Sequence, residues 1–263
     1  MNVSLLNKRE YALNKDISVV VPTLREIKGE SFKHGDDTDE FDYYQVLNLF
    51  FTNPSSCIAS LDQLGIDFTE ISDFKLFLLL YNVMDKNVLR KISPLMFKNF
   101  DFSNFEISEN TQTNQVVLYN QQDNIVINEM MYKWLSNIFC TMHLYTKKKP
   151  IIPANETAKK YIIQRALKKS KYNNRKNCGS PLDDLILALV NNSNFKYDFN
   201  SVYDLTVYNF NASARQIIKK YQVDNLYHGI YSGCVDSSKI KDSSLNWLSI
   251  DYSPIEKNKE RKV

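Results

Sequence analysis

The segment Ser72-Asp-Phe-Lys-Leu-Phe-Leu-Leu-Leu-Tyr81 carries the strongest structural signal in this sequence. Ser72 is a favoured residue for the position before a helix begins. One set of apolar residues has the i, i+3, i+4, i+7 spacing of a single helix face: Phe74, Phe77, Leu78 and Tyr81. The other leucines of the segment, Leu76, Leu79 and Leu80, fall on sides that this face leaves open. A helix that is apolar all round belongs inside a protein, so the segment predicts a central core helix.

Short β-branched runs lie on both sides of this helix along the chain. Tyr11–Leu13 and Ile17–Val21 flank a turn rich in Asn and Asp, and Val116–Tyr119 and Ile125–Ile127 flank five polar residues. Both patterns are typical of antiparallel hairpins. Helical spacing dominates elsewhere, so we predict a predominantly helical α+β fold with small antiparallel β-hairpin elements in the N-terminal half. The clearest amphipathic helix after the strands has its apolar residues at Met131, Trp134, Leu135, Ile138, Met142 and Tyr145.

Local capping signals mark further helix starts. Thr23 and Glu26 have the spacing of a capping box. Ser180-Pro181-Leu-Asp183 combines a capping serine, a first-turn proline and an early carboxylate. The Asn-rich stretch 99–115 lacks such signals and predicts a loop with one weak strand.

Glycine is scarce, with 6 in 263 residues where average usage would supply roughly 18. This scarcity argues against glycine-rich phosphate loops and dinucleotide-binding fingerprints, so we expect no cofactor. Hydrophobic residues make up 43% of the chain and aromatic residues 13%. That composition indicates a folded chain that can bury a sizeable core.

The net charge of +3 conceals a strong asymmetry. Residues 1–146 hold 12 basic and 19 acidic side chains, whereas residues 147–263 hold 21 and 11. The excess lies in residues 147–176, which hold 11 basic residues and Glu156 as the only acid. We therefore divide the chain into a mixed α/β part, 1–146, with an acidic loop at 30–42, and a helical part, 147–263. The two parts can share one core.

The basic segment 147–176 is the candidate partner-binding site. A helix over Thr157–Ser170 would spread cations over its surface and leave a narrow apolar stripe at Ala158, Ile162 and Ala166, with Ile163 beside it. Tyr161 and Tyr172 interleave with the charges and could stack on bases. An acidic protein partner, nucleic acid, and a face that is solvated or paired with loop 30–42 stay open as alternatives. The candidate residues are Lys147, Lys148, Lys149, Lys159, Lys160, Arg165, Lys168, Lys169, Arg175 and Lys176.

Two clusters could carry catalysis or a metal, and we expect neither to do so. His34, Asp36 and Asp37 lie in the acidic loop and lack the three or four converging ligands of a rigid site. Cys140 and His143 are one helical turn apart, but nothing nearby supplies an oxyanion site or an orienting group. We predict no catalytic residues, no metal and a non-enzymatic protein.

The sequence also bears on the compartment. Cys57, Cys140, Cys178 and Cys234 are widely spaced, which is typical of free thiols in a reducing compartment. The first residues lack the apolar core of a signal peptide, and the longest apolar run, Leu76–Tyr81, is far too short to cross a bilayer. We therefore expect a cytoplasmic protein without a membrane partner.

Several segments, in an order that spans most of the chain, resemble proteins encoded in the tail-gene regions of phages and prophages of low-GC Gram-positive bacteria. The resemblance is to tail assembly chaperones and their relatives. The segments are Ile17–Ile27, Tyr43-Tyr44 with Leu47, Leu64–Phe68 followed by the Phe74–Tyr81 helix, Ser201–Leu205, Gly229–Gly233 and Asn246-Trp247.

This resemblance implies a protein of the infected or lysogenic host cell that assists tail assembly. Such chaperones hold the aggregation-prone tape-measure protein until tube subunits polymerise around it. The chain is longer than the compact chaperones of this kind. A tail or neck component of the particle, and a nucleic-acid-binding or host-interfering phage protein acting through 147–176, therefore stand as alternatives.

Overall fold

The structure is a computed structural model and describes residues 5–29, 40–110, 115–173 and 181–248. These residues form a predominantly helical α+β fold with two small antiparallel sheets in the N-terminal half, as the sequence predicts. The elements are β1 (Glu10–Ala12), β2 (Ser18–Val20), α1 (Leu24–Lys28), α2 (Glu40–Phe51), α3 (Ile58–Gln63), α4 (Asp73–Val83), α5 (Lys86–Met96), β3 (Glu106–Asn110), β4 (Gln115–Asn120), β5 (Ile125–Ile127), α6 (Glu129–Met142), α7 (Glu156–Asn173), α8 (Pro181–Val190), α9 (Val207–Tyr231) and α10 (Asp242–Leu245).

The two sheets are the hairpins that the β-branched runs predict. β1 pairs with β2 so that Tyr11 lies opposite Val19. β4 is the central strand of the other sheet, with Leu118 opposite Ile107 on β3 and Ile127 on β5. The loop and weak strand expected over 99–115 correspond to a short 3-10 turn at Phe102–Asn104 followed by β3. Both sheets contribute buried side chains to the core, among them Val19, Leu118 and Ile127.

The main core is a cluster of aromatic rings around Phe50 of α2. Phe50 is fully buried, and its ring centroid lies 4.7 Å from that of Phe139 and 5.4 Å from that of Phe77. The side chains of this cluster come from residues between Leu5 and Ala214 in the sequence, so both predicted parts of the chain, 1–146 and 147–263, contribute to it. The helices that follow the basic segment are therefore packed on the N-terminal core.

A smaller apolar cluster lies beside the main core and supports the basic segment. Its buried members come from α3, α4 and the intervening loop: Ile58, Leu61, Phe68 and Leu76. Leu76 therefore faces away from the other buried residues of α4, and Leu79 is 44% exposed. The prediction that α4 is buried on every side is wrong, because this second cluster covers one side of the helix and solvent reaches another.

The acidic loop expected at 30–42 is described only from Glu40 onward. Glu40 and Asp42 belong to the first turn of α2, where carboxylates favour the helix dipole. Lys28 at the end of α1 lies between Glu40 (2.6 Å) and Asp183 of α8 (2.5 Å). His34, Asp36, Asp37 and Cys178 lie outside the described residues. Among the described helices, none is long and apolar enough to cross a membrane.

Candidate functional site

Helix α7 lies on the small apolar cluster through one narrow face. Ile162, Ile163 and Ala166 pack against the cluster that Ile58 and Leu61 form on α3. These are three of the four residues of the expected apolar stripe, and α7 extends three residues beyond the predicted end. The packing fixes which side of α7 faces the protein and which side faces solvent.

Lys159 is a structural residue of this contact. Its ammonium group pairs with Asp67 in the loop after α3 and lies 3.9 Å from Glu156. The hydrogen bond from Lys159, with further bonds from Thr69, lowers the pKa of the Asp67 carboxyl to about 2. Because the charge is already paired inside the fold, Lys159 is poorly placed to bind a partner.

The Lys147 side chain and the Lys148 backbone hold the segment before α7 against the core. The Lys147 ammonium lies 3.2 Å from Tyr132 Oη and 3.7 Å from Asp73, and it sits over the Tyr132 ring. Burial lowers the pKa of Lys147. The Lys148 carbonyl accepts a hydrogen bond of 2.5 Å from the Asn53 amide. The side chains of Lys148 and Lys149 are exposed.

Five cations of α7 are exposed, and none of their side chains contacts an acid within the described ranges. Four were predicted from the sequence, and Lys171 was not. Arg175 and Lys176, also predicted, lie outside the described residues. We name the exposed set the cation face of α7, which consists of Lys160, Arg165, Lys168, Lys169 and Lys171.

The cation face of α7 also holds an aromatic side chain. Tyr161 is 65% exposed and lies between Lys160 and Arg165 in the sequence of the helix. The other interleaved tyrosine, Tyr172, has no described side chain.

We expect that Ile162→Ala will loosen α7 from the body of the protein. Ile162 is half-buried in the small cluster, so its truncation should lower the free energy of unfolding by about 1–2 kcal/mol, less than for a fully buried isoleucine. Amide hydrogen exchange across α7 should rise. The matched control is Gln164→Ala on the exposed side of the same helix, which should change neither quantity. Equal effects of the two changes would contradict this packing.

The Cys140–His143 pair is not arranged as a nucleophile and its base. His143 Nε2 forms a 2.9 Å hydrogen bond with Tyr43 Oη. Burial raises the pKa of the Cys140 thiol to about 11, whereas a nucleophilic cysteine needs a lowered pKa. No group of three or more metal-ligating side chains occurs among the residues that the structure describes.

A second exposed surface lies at the C-terminal half of α9, which sequence reasoning did not single out. Five of the first eight residues of this helix are buried, but only Val223 is buried after Ala214. Tyr231 is 85% exposed and its ring lies 6.3 Å from that of Tyr227. Contiguous exposed apolar patches mark protein-binding surfaces. We name this surface the tyrosine end of α9, which consists of Tyr227 and Tyr231.

The region that includes this surface is similar to a known family. Residues 169–250 match the model of a family described as the YomV second domain. The match covers less than half of the chain, from the end of α7 through α10. Comparisons with curated proteins and with solved structures gave no match. YomV is a Bacillus phage or prophage protein, and the similarity of residues 169–250 to its second domain supports a phage or prophage origin for this chain.

Proposed function

We propose that this chain is a non-enzymatic phage or prophage protein that assists tail assembly in the host cytoplasm by binding other virion proteins. The partner would be the tape-measure or the tube protein. The observation that carries the proposal is the tyrosine end of α9, which exposes two neighbouring tyrosine side chains on the half of the helix that buries only Val223.

Three further observations support this function. The matched YomV region points to a phage protein. The series of short segments named in the sequence analysis resembles tail assembly chaperones. Tyrosine is enriched at the energetic centres of protein interfaces. The pairing of His143 with Tyr43 and the raised pKa of Cys140 favour a structural role for the one Cys–His pair on α6 and its cap.

Co-expression tests the proposal. The wild-type chain should keep the tape-measure or tube protein of the same gene cluster in the soluble fraction. The double substitution Tyr227→Ser with Tyr231→Ser should remove that effect, because a central interface tyrosine contributes about 2 kcal/mol or more to binding.

The control is Tyr161→Ser, which removes an exposed tyrosine from α7 and should leave the partner soluble. Failure of the wild-type chain with every tail protein of its gene cluster would refute the proposed function. The proposal would be supported independently if the gene for this protein lies between the gene for a tube protein and the gene for a very long helical protein.

Nucleic-acid binding or interference with the host is the second candidate function. The observation that favours it is the cation face of α7, whose exposed charges surround Tyr161. Such binding would weaken steeply with salt. Since Lys159 is paired with Asp67, substitutions that test this candidate belong at Lys160, Lys168 and Lys169 instead.

A further inference from the structure

The distribution of charge around α7 restricts the kind of partner that this helix can bind. An α-helix turns by about 100° per residue. The inner side of α7 faces the small cluster through Ile162, Ile163 and Ala166. The opposite side of the helix is centred on four exposed residues. They are Thr157, Tyr161, Gln164 and Lys168.

The remaining cations lie at the two edges of that exposed side. Lys160 and Lys171 fall on one edge, and Arg165 and Lys169 fall on the other, so that the edges are separated by up to about 180° around the helix axis. The distance from Lys160 to Lys171 along the axis is about 16 Å. The exposed surface thus has a central strip of mixed polar side chains between two rows of positive charge.

A single acidic helix does not match this arrangement, because a partner helix contacts its neighbour along one seam. Such a seam is apolar, with charges flanking it on both sides, whereas the strip between the two rows of cations on α7 consists of Thr157, Tyr161, Gln164 and Lys168. The major groove of B-DNA does match, because it is about 12 Å wide, admits an α-helix and has a phosphate strand along each wall. The deep, narrow major groove of duplex RNA excludes a helix.

We infer that the cation face of α7 is a binding site for double-stranded DNA that inserts α7 into the major groove. Lys160, Lys171, Arg165 and Lys169 contact phosphates on the two strands. Gln164, Lys168 and Thr157 face the base edges, where Gln and Lys side chains form hydrogen bonds with purines. The inference rests on the second candidate function and is independent of the tyrosine end of α9.

The fold presents α7 suitably for this role. The contact with α3 covers the inner face of the helix, and the carboxylates of Asp67, Glu156 and Glu70 all interact with Lys159. No acid among the described residues pairs with the five cations. The positive charge on the exposed side is therefore available to phosphate.

The test is fluorescence anisotropy of a labelled DNA duplex of two helical turns and mixed sequence. Four phosphate contacts predict an affinity that falls about 150-fold as salt rises from about 50 mM to about 200 mM. Replacing the four edge cations together (Lys160→Ala, Arg165→Ala, Lys169→Ala and Lys171→Ala) should abolish most of the binding and of its salt dependence. Circular dichroism checks that each variant keeps the helical fold.

The matched control removes four exposed lysines from other parts of the surface: Lys15→Ala, Lys75→Ala, Lys196→Ala and Lys241→Ala. Its net charge equals that of the edge variant, so general attraction to DNA would weaken both equally. We expect the control variant to bind DNA at least about tenfold more tightly than the edge variant, because the control variant keeps the four cations that contact phosphates. Equal binding by the two variants would overturn it.

Two competitor ligands complete the test. A duplex RNA of the same sequence should bind at least about tenfold more weakly than DNA, because only the DNA groove admits α7; equal affinity would overturn the groove site. Polyglutamate that binds while DNA does not, with loss of binding in the edge variant, would assign the face to an acidic protein and overturn the inference. None of these measurements involves the tail proteins, so a negative result leaves the co-expression test unaffected.

Discussion

The substitution Phe50→Ala is expected to lower the free energy of unfolding by about 3–5 kcal/mol. Phe50 is fully buried and its ring touches aromatic rings from several other segments. Removing it would leave a cavity where α2 packs against α4 and α6. The loss would be a large part of the about 5–15 kcal/mol that stabilises a typical domain. Its ring neighbours are Phe77, Phe97, Phe102, Tyr132 and Phe139.

Urea denaturation followed by circular dichroism measures this effect. Phe50→Leu keeps most of the volume and should cost below about 1.5–2 kcal/mol, so it remains measurable if Phe50→Ala fails to fold. The control is Trp134→Ala on α6, which removes a larger ring that is 44% exposed and should cost below about 1 kcal/mol. A greater loss at Trp134 than at Phe50 would contradict the assignment of the core.

That control also shows where sequence reasoning fails. The spacing of apolar residues predicts α6 correctly, but it places Trp134 on the buried face. Leu135, Ile138 and Met142 of the predicted stripe are buried, but Trp134 is exposed and α6 ends at Met142, before Tyr145. Tyr132 and Phe139, which the stripe leaves out, are buried. The buried face is wider than the predicted stripe because Phe139 packs on Phe50 of α2 and Tyr132 packs on Phe77 of α4. A single segment cannot reveal which stripe its distant partners will cover.

Local signals were more reliable because their causes lie within a few residues. Both hydrogen bonds of the predicted capping box form: the Glu26 N–H donates to the Thr23 hydroxyl, and the Thr23 N–H donates to the Glu26 carboxylate. By contrast, α5 is absent from the sequence predictions, although the Asp85 carboxylate caps its first turn by accepting a hydrogen bond from the Asn87 N–H. It also contains Pro94, which removes one helical hydrogen bond. It is a helix because Leu89, Ile92 and Met96 are buried in the main core.

The same distinction applies to the candidate site. Counting charges locates the basic segment but does not tell which of its cations form ion pairs within the fold. Lys147 and Lys159 are used by Asp73 and Asp67, which lie 74 and 92 residues earlier in the chain. The exposed cations of α7 are those for which the described fold provides no acid. Tyr227 and Tyr231 were missed because their four-residue spacing places them on one helix face without showing whether anything covers that face.

His143 should make the stability of this protein depend on pH. Its ring lies 5.7 Å from the ring of Tyr43, 6.0 Å from that of Tyr44 and 5.6 Å from that of Phe51. Burial among these aromatic groups lowers the pKa of His143 to about 3. In the unfolded chain, the ordinary histidine pKa is about 6.5. The folded protein therefore keeps His143 neutral at pH values where the unfolded chain binds a proton.

The direction of the effect follows from this difference. Protonation favours the unfolded chain, so the free energy of unfolding should fall as the pH drops below about 6.5 and should continue to fall until about pH 3. Between pH 7 and pH 5, the contribution of His143 is a loss of about 2 kcal/mol. Urea denaturation at a series of pH values measures the slope.

His143→Gln separates this contribution from those of other groups, because glutamine can still hydrogen-bond to Tyr43 but cannot be protonated in this range. The variant should be less stable than the wild type at pH 7, where the native packing is intact, and the two should converge toward pH 5. Carboxylates affect both proteins equally, and the lowered pKa of Asp67 places its own effect at lower pH. A parallel decline of the two proteins from pH 7 to pH 5 would show that His143 is protonated in the folded state, and thus that solvent reaches the ring behind Tyr43.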